Sequence, residues 1–372
     1  MEKRNYIFID ALRGCAVLLV MLYHLSLVFK WQWYPGHLLQ KLFFAGWLID
    51  LFFVISGFVI TLSILRGMEQ SSTQGFVRNY ARNRLARIVP LYYMTTFIFI
   101  TFVDTVNFWQ QHNSLWRLKN IISHLSFIHN TSISYAFSIN ISAWSLGVEM
   151  QFYVLIAIVL AFWPQKRPFS LMVCGVTIAS LWNIFIYWKY HGDMNLIRYP
   201  SLQIVSHLDA LFIGSATALI SSDNGHRLFK YMQPDVRNTF VWGSATIIFG
   251  LLAWHEYWMP QIDYWQQASF AVATRLLLLF GFIFLLLAAI TLPEHRLTVV
   301  TLTPLLYLGK ISYGIYLWHY PVMVSLAKID MEKWKVTTLI IISTLALSSL
   351  SWHFFEKPFI DRYRRRMSTP QR

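Results

Sequence analysis

Long apolar stretches recur along this chain and limit what it can fold into. There are about ten of them, each close to the roughly 20 residues that a helix needs to cross the hydrocarbon core of a bilayer. They lie at 7–29, 42–65, 88–104, 144–163, 169–190, 201–221, 238–255, 268–291, 304–327 and 336–355. Because a backbone in lipid must satisfy its own hydrogen bonds, the sequence predicts an all-α, polytopic membrane bundle. We expect one domain over 1–372, with 366–372 as a disordered cytoplasmic tail.

Composition excludes a soluble domain and a nucleic-acid-binding protein. Apolar residues make up 56% of the 372 residues and charged residues only 13%, about half the charged share of a globular domain. The net charge of +14 is not gathered into one basic surface, because the basic residues fall in short clusters between apolar stretches. Cys15 and Cys174 both lie inside apolar stretches and indicate neither a disulfide framework nor a metal site.

The distribution of basic residues predicts the orientation in the membrane. One set of connecting segments, which includes both ends of the chain and 66–87, carries about twice as many Lys and Arg residues as the other set. Both ends are therefore predicted to be cytoplasmic. The longest segment of the opposite side, 105–143, is polar and is expected to form part of a cleft or lid.

Aromatic residues are frequent in the segments on that outer side. They form either an interfacial belt or stacking platforms for a sugar. The set comprises Trp31, Trp33, Tyr34, Trp109, Trp116, Tyr257, Trp258, Tyr264 and Trp265.

The first apolar stretch carries three ionisable residues, Asp10, Arg13 and His24. A charge at mid-membrane costs on the order of 2.5–3.5 kcal/mol on insertion scales, so such residues usually mark a functional path. Arg13 and His24 are eleven positions apart, which puts them within about 20° of one helix face and about 16 Å apart along the axis. Asp10 precedes Arg13 by about one helical turn and is expected to help neutralise it.

Four ionisable residues from four different spans are predicted to lie at one depth, in the outer half of the membrane. They are His24, Asp50, Glu149 and His319. A histidine with a carboxylate in reach is the usual arrangement of a general base, because the carboxylate orients the ring. The alternative is that each is a separately satisfied buried polar group. The pattern leaves open whether Asp50 or Glu149 orients His24.

A cluster of four arginines, Arg78, Arg82, Arg84 and Arg87, precedes the third span on the cytoplasmic side. It is either a positive-inside anchor or a phosphate-binding site, since guanidinium groups bind phosphate oxygens bidentately. Arg13, expected to be buried on the same side, has no topological reason to be there and favours the phosphate-binding interpretation.

Other polar residues inside the spans have less specific interpretations. His207 and Asp209 supply too few ligands for a metal site, and no metal is predicted. Arg275 and Lys310 are expected to be partners for carboxylates. The pair Ser56–Gly57 is interpreted as a close-packing pair of small residues rather than as a nucleophile.

Six motifs in the sequence, taken together, resemble the acyltransferase family 3 membrane proteins. They are IDALRGCAVLLVMLYH (9–24), DLFFVISGFVIT (50–61), RLARIVPLYY (84–93), WSLGVEMQFY (144–153), ISYGIYLWHYPV (311–322) and FFEKPF (354–359). Each motif alone is weak, but they occur in the family's order and cover the chain nearly end to end.

The resemblance implies a reaction and its partners. The donor is cytoplasmic acyl-CoA, usually acetyl-CoA, used as a co-substrate with no permanently bound cofactor. The acceptor is a hydroxyl of a cell-surface glycan or lipid-linked saccharide at the outer face of a bacterial cytoplasmic membrane. Arg13 and His24 are the key pair. Many relatives carry a fused SGNH-type domain, and this chain is expected to be a stand-alone member.

The expected mechanism joins the two ends of the first span. The CoA phosphates are held by Arg84 and Arg87, together with Arg78 or Arg82. The pantetheine arm passes Arg13, and His24 removes the proton from the acceptor hydroxyl. The donor for the oxyanion is left open among His319, Tyr313 and a tryptophan N–H such as that of Trp144.

Other partners and functions are left open by the sequence. Membrane lipids surround the chain, and a homo-oligomer is one option. The alternative functions are a transporter or flippase for a glycan or an organic anion, and a non-catalytic sensor or assembly partner.

Overall fold

The computed structural model describes residues 6–29, 46–70, 73–163, 167–222, 234–258, 268–293 and 296–368. These residues form helices joined by short turns and include no strand, which confirms the all-α fold class. The aromatic residues at 31–34, 264 and 265, and the last residues of the predicted tail, 369–372, lie outside the described ranges.

Eight of the helices in the described ranges are long and apolar enough to cross a membrane, which confirms a polytopic membrane protein. The qualifying stretches are Ile7–Phe29, Leu48–Met68, Phe76–Val103, Trp144–Phe162, Pro168–Lys189, Ile204–Ser222, Val272–Thr291 and Lys333–Arg362. The predicted span at 238–255 falls in a helix, Pro234–Trp258, whose side chains after Leu251 are not described.

The predicted span at 304–327 is two helices rather than one. The first, Arg296–Lys310, and the second, Ser312–Leu326, have 15 residues each and are interrupted at Ile311 (φ −93°, ψ 7°). A helix of this length is about 22 Å long, shorter than the roughly 30 Å of hydrocarbon that it would have to cross alone.

The chain forms two compact units. Unit 1 comprises Met1–Ser26, Lys30–Ser63 and Val148–Gly309, and unit 2 comprises Leu27–Phe29, Ile64–Gly147 and Lys310–Arg372. The helices are numbered here as α1 Ile7–Phe29, α2 Gly46–Gln70, α3 Thr73–Ile98, α4 Thr105–Gln110, α5 Ser114–Leu125, α6 Ile133–Ala136, α7 Trp144–Phe162, α8 Pro168–Lys189, α9 Met194–Ile197, α10 Leu208–Ser222, α11 Pro234–Trp258, α12 Ala268–Thr291, α13 Arg296–Lys310, α14 Ser312–Leu326, α15 Lys333–Ser351 and α16 Lys357–Ser368.

Close backbone contacts hold α2 against α10 in unit 1. A Cβ atom at Gly57 would overlap the carbonyl oxygen of Leu211, and one at Gly214 would overlap that of Val54. Only glycine lets two helix backbones approach this closely in an apolar environment. The interpretation of Ser56–Gly57 as a close-packing pair is therefore confirmed for Gly57. α10 is the most deeply buried helix of the unit, with every residue from Leu208 to Leu219 buried.

In unit 2, α3 continues into a π-helical turn, Phe99–Val103, and then into the 105–143 segment. The segment is a folded cap made of α4, α5, a 3₁₀ turn at His129–Thr131, and α6. Phe108 and Ile139 of this segment form a hydrophobic core with Phe99 and Ile100 of the π-helical turn. α14 and α15 pack together, and α16 packs against α3. α16 runs to Ser368, so the helix includes the first residues of the predicted tail.

Candidate functional site

A buried ionic network in unit 1 joins four side chains from three parts of the chain. Arg275 on α12 donates from Nε and Nη2 to both oxygens of Asp209, at 2.8 and 2.9 Å. It also donates from Nη1 and Nη2 to both oxygens of Asp50, at 2.6 and 3.0 Å. His207 lies with Nδ1 3.2 Å from Asp50 Oδ1, and its Nε2 donates to the carbonyl of Ser201 at 2.9 Å. One guanidinium fork therefore binds two carboxylates, each only 1% exposed.

This network confirms the prediction that Arg275 is a partner for carboxylates. It also places Asp50 differently from the sequence-based expectation, because both oxygens of the Asp50 carboxylate are bonded to Arg275 and His207. The guanidinium lies between the two carboxylates, in the position that a metal cation would otherwise take. Within the described ranges, no three His, Cys, Asp or Glu side chains come together as a metal site.

Glu149 on α7 has a second set of partners in unit 1. Its Oε1 accepts hydrogen bonds from Ser56 Oγ on α2 at 3.2 Å and from the Tyr153 hydroxyl, one turn along α7, at 2.7 Å. Its Oε2 accepts no hydrogen bond from another described residue. Glu149 is half-buried, so this oxygen can reach a group in the space beside α7. Asp50 and Glu149 were both considered for orienting His24. Of the two, Glu149 is the one with a carboxylate oxygen that accepts no hydrogen bond from another described residue.

His24 and Arg13 lie on α1, as the sequence predicts for one helix. The Nδ1 of His24 is 3.0 Å from the carbonyl oxygen of Val20, and a carbonyl only accepts, so Nδ1 carries the proton. In the neutral ring, the lone pair is therefore on Nε2. The guanidinium of Arg13 lies 3.8 Å from the carboxylate of Asp10, which confirms the expected pairing.

His319 on α14 is fully buried within unit 2. Its Nδ1 donates to the Ile315 carbonyl at 3.1 Å, and its Nε2 lies 3.1 Å from the Ser142 hydroxyl. Both ring nitrogens are thus engaged. Asp50, Glu149 and His319 each have polar partners of their own. This arrangement agrees with the alternative that each residue is a separately satisfied buried polar group. That His24, Asp50, Glu149 and His319 act together at one depth stays a prediction.

The surroundings of the other two residues considered for an oxyanion donor are also described, and their role stays a prediction. The hydroxyl of Tyr313 on α14 donates to the carbonyl oxygen of Ile88 at 2.6 Å. Trp144 is half-buried and is the first residue of α7. Sequence reasoning missed Ser142, Tyr153 and the link from Ser56 to Glu149, because a lone Ser or Tyr in an apolar stretch carries no signal about its partner.

The four arginines of α3 point in two directions. At 100° per residue, Arg78 and Arg82 share one face, and Arg84 and Arg87 lie roughly on the opposite face. Arg78 and Arg82 are exposed, whereas Arg84 and Arg87 are half-buried. Arg84 lies over the ring of Tyr80, with its guanidinium carbon 5.8 Å from the ring centre. The predicted cluster therefore consists of one solvent-facing pair and one pair packed against protein.

Two buried histidines stack in the 105–143 cap, and neither was singled out from the sequence. The rings of His124 and His129 are 4.2 Å apart and nearly parallel. His129 Nε2 donates to the Ala143 carbonyl at 2.9 Å, and His124 Nδ1 donates to the Asn120 carbonyl at 3.0 Å. Burial lowers the pKa of His129 to about 4. Burial, together with the neighbouring His129, holds the pKa of His124 well below its ordinary value.

Comparison with known proteins gives a consistent assignment. Residues 6–353 match the family model described as an acyltransferase domain. The chain is similar to "Putative peptidoglycan O-acetyltransferase YrhL" of Bacillus subtilis (strain 168), with 27% identity over 369 residues, covering 94% of this chain and 54% of that protein. It is also similar to "O-acetyltransferase OatA" of Staphylococcus aureus (strain NCTC 8325 / PS 47), with 25% identity over 371 residues, covering 94% of this chain and 56% of that protein. The chain thus spans a little over half the length of these curated relatives. No solved structure matches it.

Proposed function

Because this chain belongs to the acyltransferase family whose domain model covers residues 6–353, we propose that it is an integral-membrane O-acyltransferase. The donor is acyl-CoA, with acetyl-CoA as the first choice, presented from the cytoplasmic side. The acceptor is a hydroxyl of a saccharide at the outer face of the cytoplasmic membrane. Since one relative is named for peptidoglycan, a peptidoglycan saccharide is the first acceptor to test.

The tautomer of His24 is the observation that carries this proposal. The Nδ1–H bond to the Val20 carbonyl leaves Nε2 as the basic nitrogen of the neutral ring. Nε2 takes the proton of the acceptor hydroxyl as its oxygen attacks the thioester carbonyl carbon. The carbon–sulfur bond then breaks, the ester forms, and the departing thiolate takes the proton from the imidazolium. His24 ends the cycle neutral, so no external acid or base is consumed.

Glu149 is the carboxylate that we assign to support this step. Two hydroxyl donors, from Ser56 and Tyr153, hold Oε1. Oε2 is available to stabilise the imidazolium that forms on His24. Asp50 instead stabilises the fold of unit 1 through Arg275, where its charge is already balanced.

Arg78 and Arg82 are the pair that we assign to the CoA phosphates. They are one helical turn apart, exposed, and on the same face of α3, so both can reach one multiply charged ligand. Arg84 and Arg87 anchor α3 and contribute to the same positive potential.

The test compares two histidines that make the same local bond. His353 donates from Nδ1 to the carbonyl four residues earlier, Ser349, at 2.9 Å, as His24 does to Val20, but His353 is exposed. We expect His24→Ala to lose transfer of labelled acetyl from acetyl-CoA to a peptidoglycan oligosaccharide by a factor of at least 10²–10⁴, the usual contribution of a general base. His353→Ala is expected to keep wild-type activity in the same proteoliposomes.

Near-wild-type transfer by the His24→Ala protein would refute the assignment. The stoichiometry separates an acyltransferase from a transporter, because only the former releases one free CoA thiol for each acyl group found on the acceptor. Movement of a glycan without thiol release would favour the transporter.

A further inference from the structure

The 105–143 cap of unit 2 contains a cavity of about 380 Å³. Residues of α4, α5 and α6 and of the turns beside them line it, and they include Phe108, Trp116 and Phe137 with Asn107, His112 and Ser134. The volume lies within the usual range for a small-molecule site. The lining includes no charged side chain, so the cavity suits a neutral ligand.

An aromatic platform forms one part of the wall. The ring of His112 lies 3.5 Å from the ring of Trp116 and is nearly parallel to it, at 16°. Trp116 also meets the ring of Phe108, which is buried in the core of the cap. The backbone N–H of Trp116 is bonded by the side chain of Asn113, the N-cap of α5, at 2.8 Å. The platform is therefore fixed by the core on one side and by a helix cap on the other.

Polar groups of the lining are available to a ligand. The imidazole of His112, the hydroxyl of Ser134 and the indole N–H of Trp116 have no hydrogen bond to another residue in the described ranges. Ser138, by contrast, is satisfied within the protein, because it donates to Asn120 and to the Tyr135 carbonyl.

Arg117, the residue after Trp116, has partners outside the lining of this cavity. Arg117 donates to the carbonyl oxygen of Trp109 and, at 3.3 Å, to the hydroxyl of Ser114. Its guanidinium carbon also lies 5.4 Å from the ring centre of Trp109. A phosphate or carboxylate would therefore find no cation among the lining residues. A lipid acyl chain would leave the lining polar groups unpaired, which costs affinity.

We propose that this cavity binds one neutral sugar unit of the saccharide acceptor. An aromatic face for the C–H face of a pyranose, beside imidazole, hydroxyl and indole N–H groups for its hydroxyls, is the combination that such a ligand needs. The inference rests on the proposed function for the acceptor's identity, and it names the cap as the part of the chain that holds the acceptor. The cap determines which saccharide is bound, while His24 carries out the chemistry.

The experiment measures saccharide binding separately from transfer, using the full chain in nanodiscs. The probes are neutral tetrasaccharides of N-acetylglucosamine, glucose, galactose, mannose and rhamnose. We expect at least one to bind the wild type and to change its tryptophan fluorescence, with Trp116→Ala abolishing both effects. Trp188→Ala, which removes an exposed tryptophan of α8 in unit 1, is the matched control and should bind as the wild type does.

A milder variant protects the test against misfolding of the cap. Ser134 is exposed on α6, and alanine is a better helix former than serine, so Ser134→Ala should leave the cap intact. Because Ser134→Ala loses one hydrogen bond to the ligand, we expect it to raise the dissociation constant of the bound tetrasaccharide on the order of two- to tenfold. Ser126→Ala, an exposed serine of the cap that does not line the cavity, should leave it unchanged.

The outcomes separate this inference from the proposed function. Saccharide binding that is unchanged in His24→Ala and lost in Trp116→Ala supports the inference, whatever the transfer assay shows. Binding of no probe to the wild type, or equal binding by the wild type, Trp116→Ala and Ser134→Ala, overturns it. Transfer that persists in His24→Ala overturns the proposed function alone.

Discussion

Replacing Arg275 by methionine tests how much its ion pairs with Asp50 and Asp209 stabilise unit 1. The substitution keeps an unbranched apolar stem of similar reach but removes the guanidinium that joins Asp50 to Asp209. The four hydrogen bonds lost run from 2.6 to 3.0 Å, and the two carboxylates left behind are 1% exposed. Removing one member of a buried ion pair costs about 3–5 kcal/mol, because the remaining charge is neither solvated nor paired. We expect Arg275→Met to lower the free energy of unfolding by about that amount, since both carboxylates lose the guanidinium and Asp50 keeps only His207 as a side-chain partner.

The reasoning also predicts a rescue. Changing both carboxylates to amides in the Arg275→Met background removes the uncompensated charges, so the triple variant Arg275→Met/Asp50→Asn/Asp209→Asn should recover most of the lost stability. Arg275→Lys should fall between the wild type and Arg275→Met, because an ammonium keeps the charge but has no planar fork to reach both carboxylates.

Thermal unfolding in detergent, followed by intrinsic fluorescence, measures the series, and hydrogen exchange in α10 reports on the same region. Stability of Arg275→Met within about 0.5 kcal/mol of the wild type, the range of an ordinary surface substitution, would refute the argument. So would a triple variant that is less stable than Arg275→Met, because the carboxylate charges would then not be the source of the loss.

Two further predictions concern unit 2. The buried imidazoles of His124 and His129 are neutral when folded and protonate near pH 6.5 when unfolded. Their depressed pKa values therefore make the cap less stable as the pH falls below about 6.5, and have no effect above it. His124→Phe keeps the ring stack and removes one titrating group. The difference in melting temperature between pH 7.5 and pH 5 should therefore be smaller in this variant than in the wild type. An unchanged difference contradicts the argument. On α3, Arg78→Gln/Arg82→Gln should raise the KM for acetyl-CoA, by roughly tenfold or more for two charge-assisted hydrogen bonds, with little change in kcat. If Arg84→Gln/Arg87→Gln alone gives that kinetic effect, the assignment of the exposed pair is wrong.

Features with a local cause were predictable from the sequence. An apolar run of sufficient length becomes a membrane helix wherever it packs, so the amino-acid order alone places most of the spans. The pairing of Asp10 with Arg13 follows from their spacing of three residues on one helix. The placement of Arg13 and His24 along one side of α1 follows from the same fixed geometry.

Features that join distant parts of the chain were decided by the tertiary structure. Arg275 meets Asp50 across 225 positions and Asp209 across 66, and Glu149 meets Ser56 across 93. Helices such as α2 and α10 are apolar on nearly every side, so their sequences do not mark which face a partner will cover. The break at Ile311 and the cavity in the 105–143 cap likewise depend on packing between elements. The sequence alone determined that the chain is a membrane protein and which residues of α1 are unusual. Packing decided which carboxylate is already neutralised, which is available, and which polar groups of the cap are left for a ligand, because burial and hydrogen-bond partners are properties of the folded neighbourhood and not of the local sequence.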